Sequence, residues 1–354
     1  MGLSSASPRR AAACPPPGLR PGDGARLVSL SGPLAARCPR RLRRAAAALA
    51  GNGLRPSLCQ TTTEDDGRFA GSAARRAAAL TSAFRDPDVA AVITTIGGSG
   101  ARDLVAHLDP DELAAHPTVF SGYSDSGSLL LWLHERTGMT TFYGPAALPQ
   151  FGEPDGCDPY TWRHFWAAVS AGAAPGVLRA AEHVVVEFRE WDVADDVPRA
   201  RLPIPGRAVL RPGRATGPLV AANVATLAGD LRAGLVSRPW AGRVVFLEES
   251  DTASWADFQD HLAVIAASAL LDGAAGVCFG VFRQVVTGEW DRAAVRESLV
   301  NLAGACRGPV VSDVEFGHTD PMLCLPLGAV AEVDADADGA VRLCLPEPAV
   351  RGRG

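Results

Sequence analysis

The sequence predicts a two-domain α/β protein with a parallel sheet in its first domain. The chain of 354 residues is longer than one hydrophobic core usually supports, and 47% of its residues are apolar, which is ample for buried cores. From residue 27 onwards, short β-rich runs alternate with longer helical runs. Strands joined by crossover helices in this way form parallel sheets with helices on both faces.

Local sequence signals support the elements that are predicted in the first half of the chain. An Ala/Arg-rich helix is closed by Gly51-Asn52-Gly53, a strand rich in Val, Ile and Thr precedes Gly97-Gly98-Ser99-Gly100, and a later helix ends at Gly138. The predicted strands are residues 27–30, 90–96 and 118–123. The predicted helices are residues 37–50, residues 68–84, a segment opened by residues 97–100, and residues 125–137.

The second half has a variable segment followed by another compact region. Residues 154–215 are rich in Pro, Arg, Asp and Trp and show weak periodicity, which favours a linker with an excursion. Strands are predicted at residues 244–247, 277–282 and 309–313, helices at residues 255–271 and 292–306, and a hairpin at residues 329–333 and 341–344. The predicted division is a disordered tail over 1–17, a first domain over 18–153, the linker over 154–215 and a second domain over 216–350.

Composition excludes several classes of chemistry. All 34 basic residues are arginine, so Schiff-base enzymes, Ser–Lys hydrolases and Walker-type phosphate loops, which need a lysine, are ruled out. The net charge of −5 argues against a nucleic-acid partner. Eight scattered cysteines without zinc-ligand spacing predict no metal and a reducing compartment, and no apolar run is long enough for a membrane span. We therefore expect a cytoplasmic protein.

Two strand-to-helix turns could carry chemistry. Ser124, in Gly122-Tyr123-Ser124-Asp125-Ser126, would present its hydroxyl at a helix N-terminus, where the following amides can stabilise an oxyanion. Gly97-Gly98-Ser99-Gly100 could hold an anion or a carboxylate with its amides. Taken alone, each turn is also compatible with an ordinary helix cap or βα turn.

Two further loops complete a possible triad. Glu248 and Glu249 lie at the carboxyl end of a predicted strand, where open α/β sheets place functional groups, although an exposed acidic loop would look the same. His318, between Gly317 and Thr319 in a loop after a strand, suits a general base. Ser124, one of the two glutamates and His318 supply the residue types of a serine hydrolase.

These segments, in this order, resemble the LD-carboxypeptidase family of serine peptidases and are most similar to its microcin C self-immunity (MccF-like) branch. The resemblance covers nearly the whole chain from about residue 19. It is carried by VSLSGP at 28–33, TTIGG at 94–98, GYSD at 122–125, TTFYGP at 140–145, FLEE at 246–249 and GHT at 317–319.

The resemblance implies a Rossmann-like N-terminal domain, a β-rich α/β C-terminal domain, an active site at the domain interface and a homodimer. It implies Ser124 as nucleophile, Glu248 as the carboxylate that orients the base and His318 as the base. The backbone amides of Gly98 and Asp125 would form the oxyanion hole. Whether Glu249 orients the base in place of Glu248 stays open.

We expect an amide hydrolase that uses neither a metal nor a cofactor. The MccF-like similarity favours an aminoacyl- or peptidyl-nucleotide substrate and a role in detoxification or immunity. Gly97, Ser99 and Trp191 are candidate substrate contacts, and Trp162, Trp166 and Trp191 are candidates for stacking on a nucleobase or for packing against the core. The alternatives are a murein LD-carboxypeptidase of cell-wall recycling, which would use an arginine to bind a terminal carboxylate, and a non-catalytic binding protein of the same fold.

Overall fold

The strands form two large sheets and one small hairpin. The computed structural model describes residues 14–185, 187, 189–204, 206–236 and 239–353. The strands are β1 Gly24–Val28, β2 Arg55–Leu58, β3 Ala91–Thr94, β4 Val119–Gly122, β5 Phe142–Tyr143, β6 Gly176–Val177, β7 His183–Val185, β8 Arg201–Pro203, β9 Ala208–Arg211, β10 Gly213–Asn223, β11 Val244–Glu248, β12 Gly276–Gly280, β13 Val310–Val314, β14 Leu325–Pro326, β15 Val330–Ala335 and β16 Val341–Leu345.

Helices connect most of the parallel strands. They are α1 Leu34–Arg37, α2 Pro39–Gly51, α3 Ala73–Arg85, α4 Pro110–Ala115, α5 Gly127–Thr137, α6 Pro159–Val169, α7 Val224–Arg232, α8 Trp255–Ala267, α9 Arg283–Val286 and α10 Arg292–Leu302. Several N-termini are capped by side chains, as at Ser72, Asn223 and Ser254, each of which accepts a hydrogen bond from a first-turn amide. Within the described residues, no helix is both long and apolar enough to cross a membrane.

The first sheet has the strand order β14-β5-β4-β3-β1-β2, and the strands from β5 to β2 are all parallel. This confirms the predicted parallel sheet. Strand β2 was not predicted because it is an edge strand with exposed positions and only one aliphatic residue. The antiparallel edge strand β14 comes from the C-terminal part of the chain, and its Leu325 pairs with Tyr143 of β5.

The second sheet has the order β6-β16-β15-β10-β11-β12-β13-β9. Strands β10 to β13 are parallel, whereas β15 and β16 form an antiparallel hairpin beside β10. The central strands β11, β12 and β13 are buried at every position, which agrees with their largely apolar sequences; Glu248, Ser312 and Asp313 are the buried polar residues among them. The predicted two-domain α/β architecture, with a β-rich second domain, is therefore found.

Several predicted segments differ from the structure. Residues 14–17 of the predicted disordered tail pack on the domain, since Cys14 N–H donates to the Gly138 carbonyl at 2.9 Å and Pro16 is buried; residues 1–13 lie outside the described part. The predicted linker over 154–215 contains α6 and β6 to β9, two of which join the second sheet. The helix expected directly after residues 97–100 is a 3-10 helix, Arg102–His107.

Candidate active site

Ser124 lies in a strained turn between β4 and α5. Its φ of 61° is in the left-handed region, which is rare for a residue with a side chain and clusters at functional sites. Two residues earlier, a Cβ on Gly122 would lie 2.3 Å from Thr94 Oγ1, so only glycine fits there. The backbone N–H of Ser124 donates to the Tyr143 hydroxyl at 3.3 Å. The turn leaves Ser124 half-buried.

The glycine loop lies directly against this turn. A Cβ on Gly97 would lie 2.8 Å from Ser124 Oγ and 3.4 Å from the Asp125 amide nitrogen, so the loop can approach only because this residue is glycine. The Asp125 carboxylate accepts a hydrogen bond from the Ala101 N–H at 2.8 Å and ties the two segments together. Gly98, with φ of +122°, is exposed beside them. The glycine loop and the Asp125 amide thus lie beside Ser124, and the oxyanion hole of Gly98 and Asp125 stays a prediction.

Glu248 is the last residue of β11 and is completely buried. Its Oε2 lies 2.7 Å from His318 Nδ1 and accepts a hydrogen bond from the His318 backbone N–H at 3.0 Å. Its Oε1 accepts from the Tyr143 hydroxyl at 2.5 Å and from Asn223 Nδ2 at 3.2 Å. A buried carboxylate needs such partners because burial of an unpaired charge is very costly.

Two glycines make room for this carboxylate. A Cβ on Gly317 would lie 2.2 Å from Glu248 Cδ, and one on Gly280 would lie 2.8 Å from Glu248 Cβ. Gly317 also has a φ of +80°, which turns the chain so that His318 faces the glutamate. The Gly-His sequence that predicted a loop histidine therefore has a steric reason.

Glu249 points away from the imidazole. Its Oε1 accepts from the Ser250 N–H at 2.7 Å and lies 3.5 Å from Asn223 Nδ2. Its Oε2 faces His261 Nδ1 at 3.6 Å, and neither of these two buried atoms has a hydrogen-bond partner among the described residues. Of the two glutamates, Glu248 is thus the one that contacts His318.

The environment separates the pKa values of these groups. Burial would raise the pKa of Glu248, but the charge and hydrogen bonds of His318, with the bond from Tyr143, lower it below its usual value. Burial raises the pKa of Glu249 to about 7, with a smaller contribution from Glu248. Burial would lower the pKa of His318, but Glu248 raises it to about 9. Near neutral pH, the Glu248–His318 pair is therefore an ion pair.

Ser124 and His318 face a common cavity of about 460 Å³. Among the described residues, no hydrogen bond joins the serine hydroxyl to the imidazole. Gly97, Gly98 and Trp191 also line the cavity, whereas Ser99 does not and is exposed. The volume falls within the range of small-molecule sites.

The three candidate tryptophans have different surroundings. Trp191 lines the cavity, its ring lies 3.9 Å from the Arg41 guanidinium, and it also packs against the core of the first domain. Trp162 and Trp166 stack on each other at 5.6 Å and pack against the core of the first domain, away from the cavity. Of the two uses considered for them, packing therefore applies to Trp162 and Trp166.

Sequence reasoning missed two side chains that touch Glu248, namely Tyr143 and Asn223. Each lies at a strand end, where a tyrosine or asparagine usually indicates packing or a helix cap, and Asn223 does cap α7. The TTFYGP motif was the available signal for Tyr143. Within the described residues, no group of three or more His, Cys, Asp or Glu side chains is arranged to bind a metal ion.

Sequence comparison identifies relatives along most of the chain. Profiles of the LD-carboxypeptidase N-terminal and C-terminal domains match residues 25–144 and 216–333. A putative carboxypeptidase of Streptomyces coelicolor is 31% identical over 326 residues, which cover 91% of this chain and 93% of the relative. The microcin C7 self-immunity protein MccF of Escherichia coli is 26% identical and covers 89% and 91%, and a probable murein peptide carboxypeptidase of Bacillus subtilis is 26% identical and covers 92% and 93%.

Solved structures show the same fold. MccF in complex with aspartyl sulfamoyl adenosine superposes with a TM-score of 0.84 at 25% identity, covering 95% of this chain and 99% of that chain. An MccF-like protein from Bacillus anthracis superposes with a TM-score of 0.83 at 24% identity, covering 94% and 99%.

Proposed function

Because the chain belongs to the LD-carboxypeptidase family of serine peptidases, we propose that it hydrolyses an amide bond with Ser124 as nucleophile, His318 as general base and Glu248 as the orienting carboxylate. The observation that carries this proposal is the buried Glu248–His318 pair facing the same cavity as the strained Ser124 turn. The three residues supply the nucleophile, base and orienter of a serine hydrolase.

The contacts of these residues support a role for each reacting atom. In the neutral form of His318, Nδ1–H donates to Glu248, which leaves Nε2 to accept the proton of Ser124 as its oxygen attacks the carbonyl carbon. The tetrahedral oxyanion is held by the amides of Gly98 and Asp125. The C–N bond then breaks, and the imidazolium returns its proton to the leaving nitrogen. Water attacks the acyl-enzyme, His318 again accepts a proton, and the carboxylic acid leaves as Ser124 is restored.

We infer that the substrate is an aminoacyl- or peptidyl-nucleotide whose amide-type bond is cleaved in a detoxifying or immunity role. Two observations support this class. Trp191 presents an aromatic ring in the cavity, where a nucleobase could stack. A 25% identical relative, MccF, binds aspartyl sulfamoyl adenosine.

A murein peptide is the second candidate substrate. A probable murein peptide carboxypeptidase is as similar to this chain as MccF. Among the described residues, Arg189, Arg199 and Arg283 line the cavity and are the candidates for binding a terminal carboxylate. Each of them already forms an ion pair, Arg189 with Glu187, Arg199 with Glu153 and Asp320, and Arg283 with Glu289, so any of them would have to exchange a partner to do so.

Product analysis with two probes distinguishes these substrates. The purified protein is incubated with aspartyl sulfamoyl adenosine and, separately, with a murein tetrapeptide, and Ser124→Ala is assayed beside it. We expect turnover of the first probe and its loss in Ser124→Ala. Turnover of the tetrapeptide alone would overturn the nucleotide assignment, and equal turnover by Ser124→Ala would overturn the serine mechanism. Absence of turnover of both probes by the wild type would instead favour the non-catalytic binding protein.

A further inference from the structure

One hydroxyl group connects the two halves of the candidate site. The Tyr143 side chain donates to Glu248 Oε1 at 2.5 Å and accepts from the backbone N–H of Ser124 at 3.3 Å. Ser124 follows β4 in the first sheet, and Glu248 ends β11 in the second. The tyrosine is thus the residue through which the nucleophile turn and the carboxylate contact a common atom.

The ring that carries this hydroxyl is tightly held. Tyr143 is completely buried, a Cβ on Gly127 would lie 3.1 Å from its Cε2, and its edge contacts the rings of Tyr123 and Phe316. Its backbone pairs with Leu325 of β14, a strand from the C-terminal part of the chain. Elements from both halves of the chain therefore fix the position of the hydroxyl oxygen.

The proton of this hydroxyl has a definite direction. Burial and the negative charge of Glu248 raise the pKa of Tyr143 well above its usual value, so the phenol stays protonated. Since a phenol has a single proton and Glu248 is an acceptor, that proton points to the carboxylate and a lone pair faces the Ser124 N–H.

We propose that Tyr143 is a positioning residue that holds the Ser124 turn in its strained conformation and moderates the basicity of Glu248 through one shared hydroxyl. This inference rests on the proposed serine mechanism. It has two consequences. The Ser124 N–H is occupied, which leaves the oxyanion to the amides of Gly98 and Asp125. The hydrogen bond from Tyr143 stabilises the ionised carboxylate of Glu248. It therefore also limits how strongly Glu248 raises the pKa of His318.

A merely structural tyrosine would behave differently. A buried tyrosine often finds a hydrogen-bond partner only to avoid the cost of an unpaired hydroxyl. Its loss would then lower the stability of the fold without changing the ionisation of His318. The direction of a shift in the pH profile separates the two roles.

The test compares Tyr143→Phe with the matched control Tyr160→Phe. Tyr160 is also buried, but its hydroxyl donates to the Arg179 carbonyl at 2.8 Å and lies 3.5 Å from the carboxylate of Glu315, and its side chain does not line the cavity. Three measurements are made on each folded variant: kcat and KM for aspartyl sulfamoyl adenosine, the pH dependence of kcat/KM, and the rate of modification by a fluorophosphonate, which reports the nucleophile with no need for a particular substrate.

For Tyr143→Phe we expect kcat to fall about 10- to 100-fold while KM changes less than threefold, as for loss of one hydrogen bond to a charged group. The acid limb of the profile should move to higher pH, because Glu248 becomes more basic and binds the imidazolium more strongly. Fluorophosphonate modification should slow in parallel. Tyr160→Phe should leave the limb in place.

Replacement of Tyr143 by 3-fluorotyrosine gives a second test in a nearly unchanged core. The fluorinated phenol is a stronger donor, so the limb should move to lower pH. An unmoved limb in both Tyr143 variants, or the same shift in Tyr160→Phe, would overturn the inference. Full activity of Ser124→Ala in the same assays would instead overturn the proposed function, so the two failures are distinguishable.

Discussion

Glu248 holds His318 at two points: its Oε2 lies 2.7 Å from the imidazole Nδ1 and accepts the backbone N–H of the same residue at 3.0 Å. One carboxylate oxygen thus fixes both the ring and the loop that carries it. These two bonds hold Nδ1 at the carboxylate, and His318 lines the same cavity as Ser124. A substitution that displaces or neutralises Glu248 should therefore affect the base as well.

The two adjacent glutamates should respond differently to the same substitution. Glu248→Gln removes the charge that stabilises the imidazolium, and we expect kcat/KM to fall by a factor on the order of 10³ to 10⁴, as for the buried carboxylate of other serine triads. In Glu249→Gln, kcat/KM should fall less than about tenfold, because burial already raises the pKa of Glu249 to about 7 and its neutral form is populated near neutral pH. Steady-state kinetics of the pair checks this; a larger loss in Glu249→Gln would reverse the assignment.

The activity should depend on pH through His318. Burial would lower its pKa, but Glu248, together with Asp251 and Glu249, raises it to about 9. Since a general base must be neutral, kcat/KM of the free enzyme should increase with pH up to about that value and then level off. Histidine Cε1–H resonances, followed by NMR from pH 6 to 10, report the titration directly. In Glu248→Gln the His318 resonance should titrate nearer 6.5, and an unchanged titration would contradict Glu248 as the cause of the raised pKa.

Gly317 should be required for activity and not only for folding. Gly317→Ala places a Cβ 2.2 Å from Glu248 Cδ at a φ of +80°. Its control is Gly339→Ala, at a φ of +98° with no atom within 4 Å of the added Cβ. The left-handed backbone should cost each variant about 1–2 kcal/mol in the free energy of unfolding, and the contact with Glu248 should add to this loss in Gly317→Ala. Only Gly317→Ala should also lose at least tenfold in kcat/KM, measured beside urea unfolding; equal activity of the two variants would show that Glu248 tolerates displacement.

Substitution of Trp191 should change the KM for nucleotide substrates alone. Trp191→Ala removes the aromatic surface from the cavity, and we expect KM for aspartyl sulfamoyl adenosine to rise about tenfold or more, in line with about 1–3 kcal/mol for a stacked base. Turnover of a murein tetrapeptide, where present, should keep its KM. Trp166→Phe, in the core pair with Trp162, serves as the control and should leave both KM values unchanged. An unaltered KM in Trp191→Ala would remove Trp191 from the substrate site.

Local sequence was sufficient for the elements with strong patterns. The buried strands β3, β4, β11, β12 and β13 are rich in apolar and β-branched residues, and their predicted positions agree with the structure to within a few residues. The edge strand β2 and the strands within residues 154–215 were missed because edge and exposed strands need no regular apolar alternation. Pairing of β14 with β5 joins residues about 180 apart, which no local pattern encodes.

The candidate site also combines features that local sequence predicts with contacts that depend on the fold. Local sequence patterns predicted which groups are available: a serine at a helix N-terminus, glutamates at a strand end, a loop histidine, and arginine as the only permanently charged basic side chain. The local pattern left Glu248 and Glu249 equivalent, the family resemblance favoured Glu248, and neither singled out Tyr143. The contacts of these side chains depend on the folded chain, because successive side chains of an extended segment point to opposite sides. Glu248 therefore meets His318 and Tyr143, whereas Glu249 faces His261.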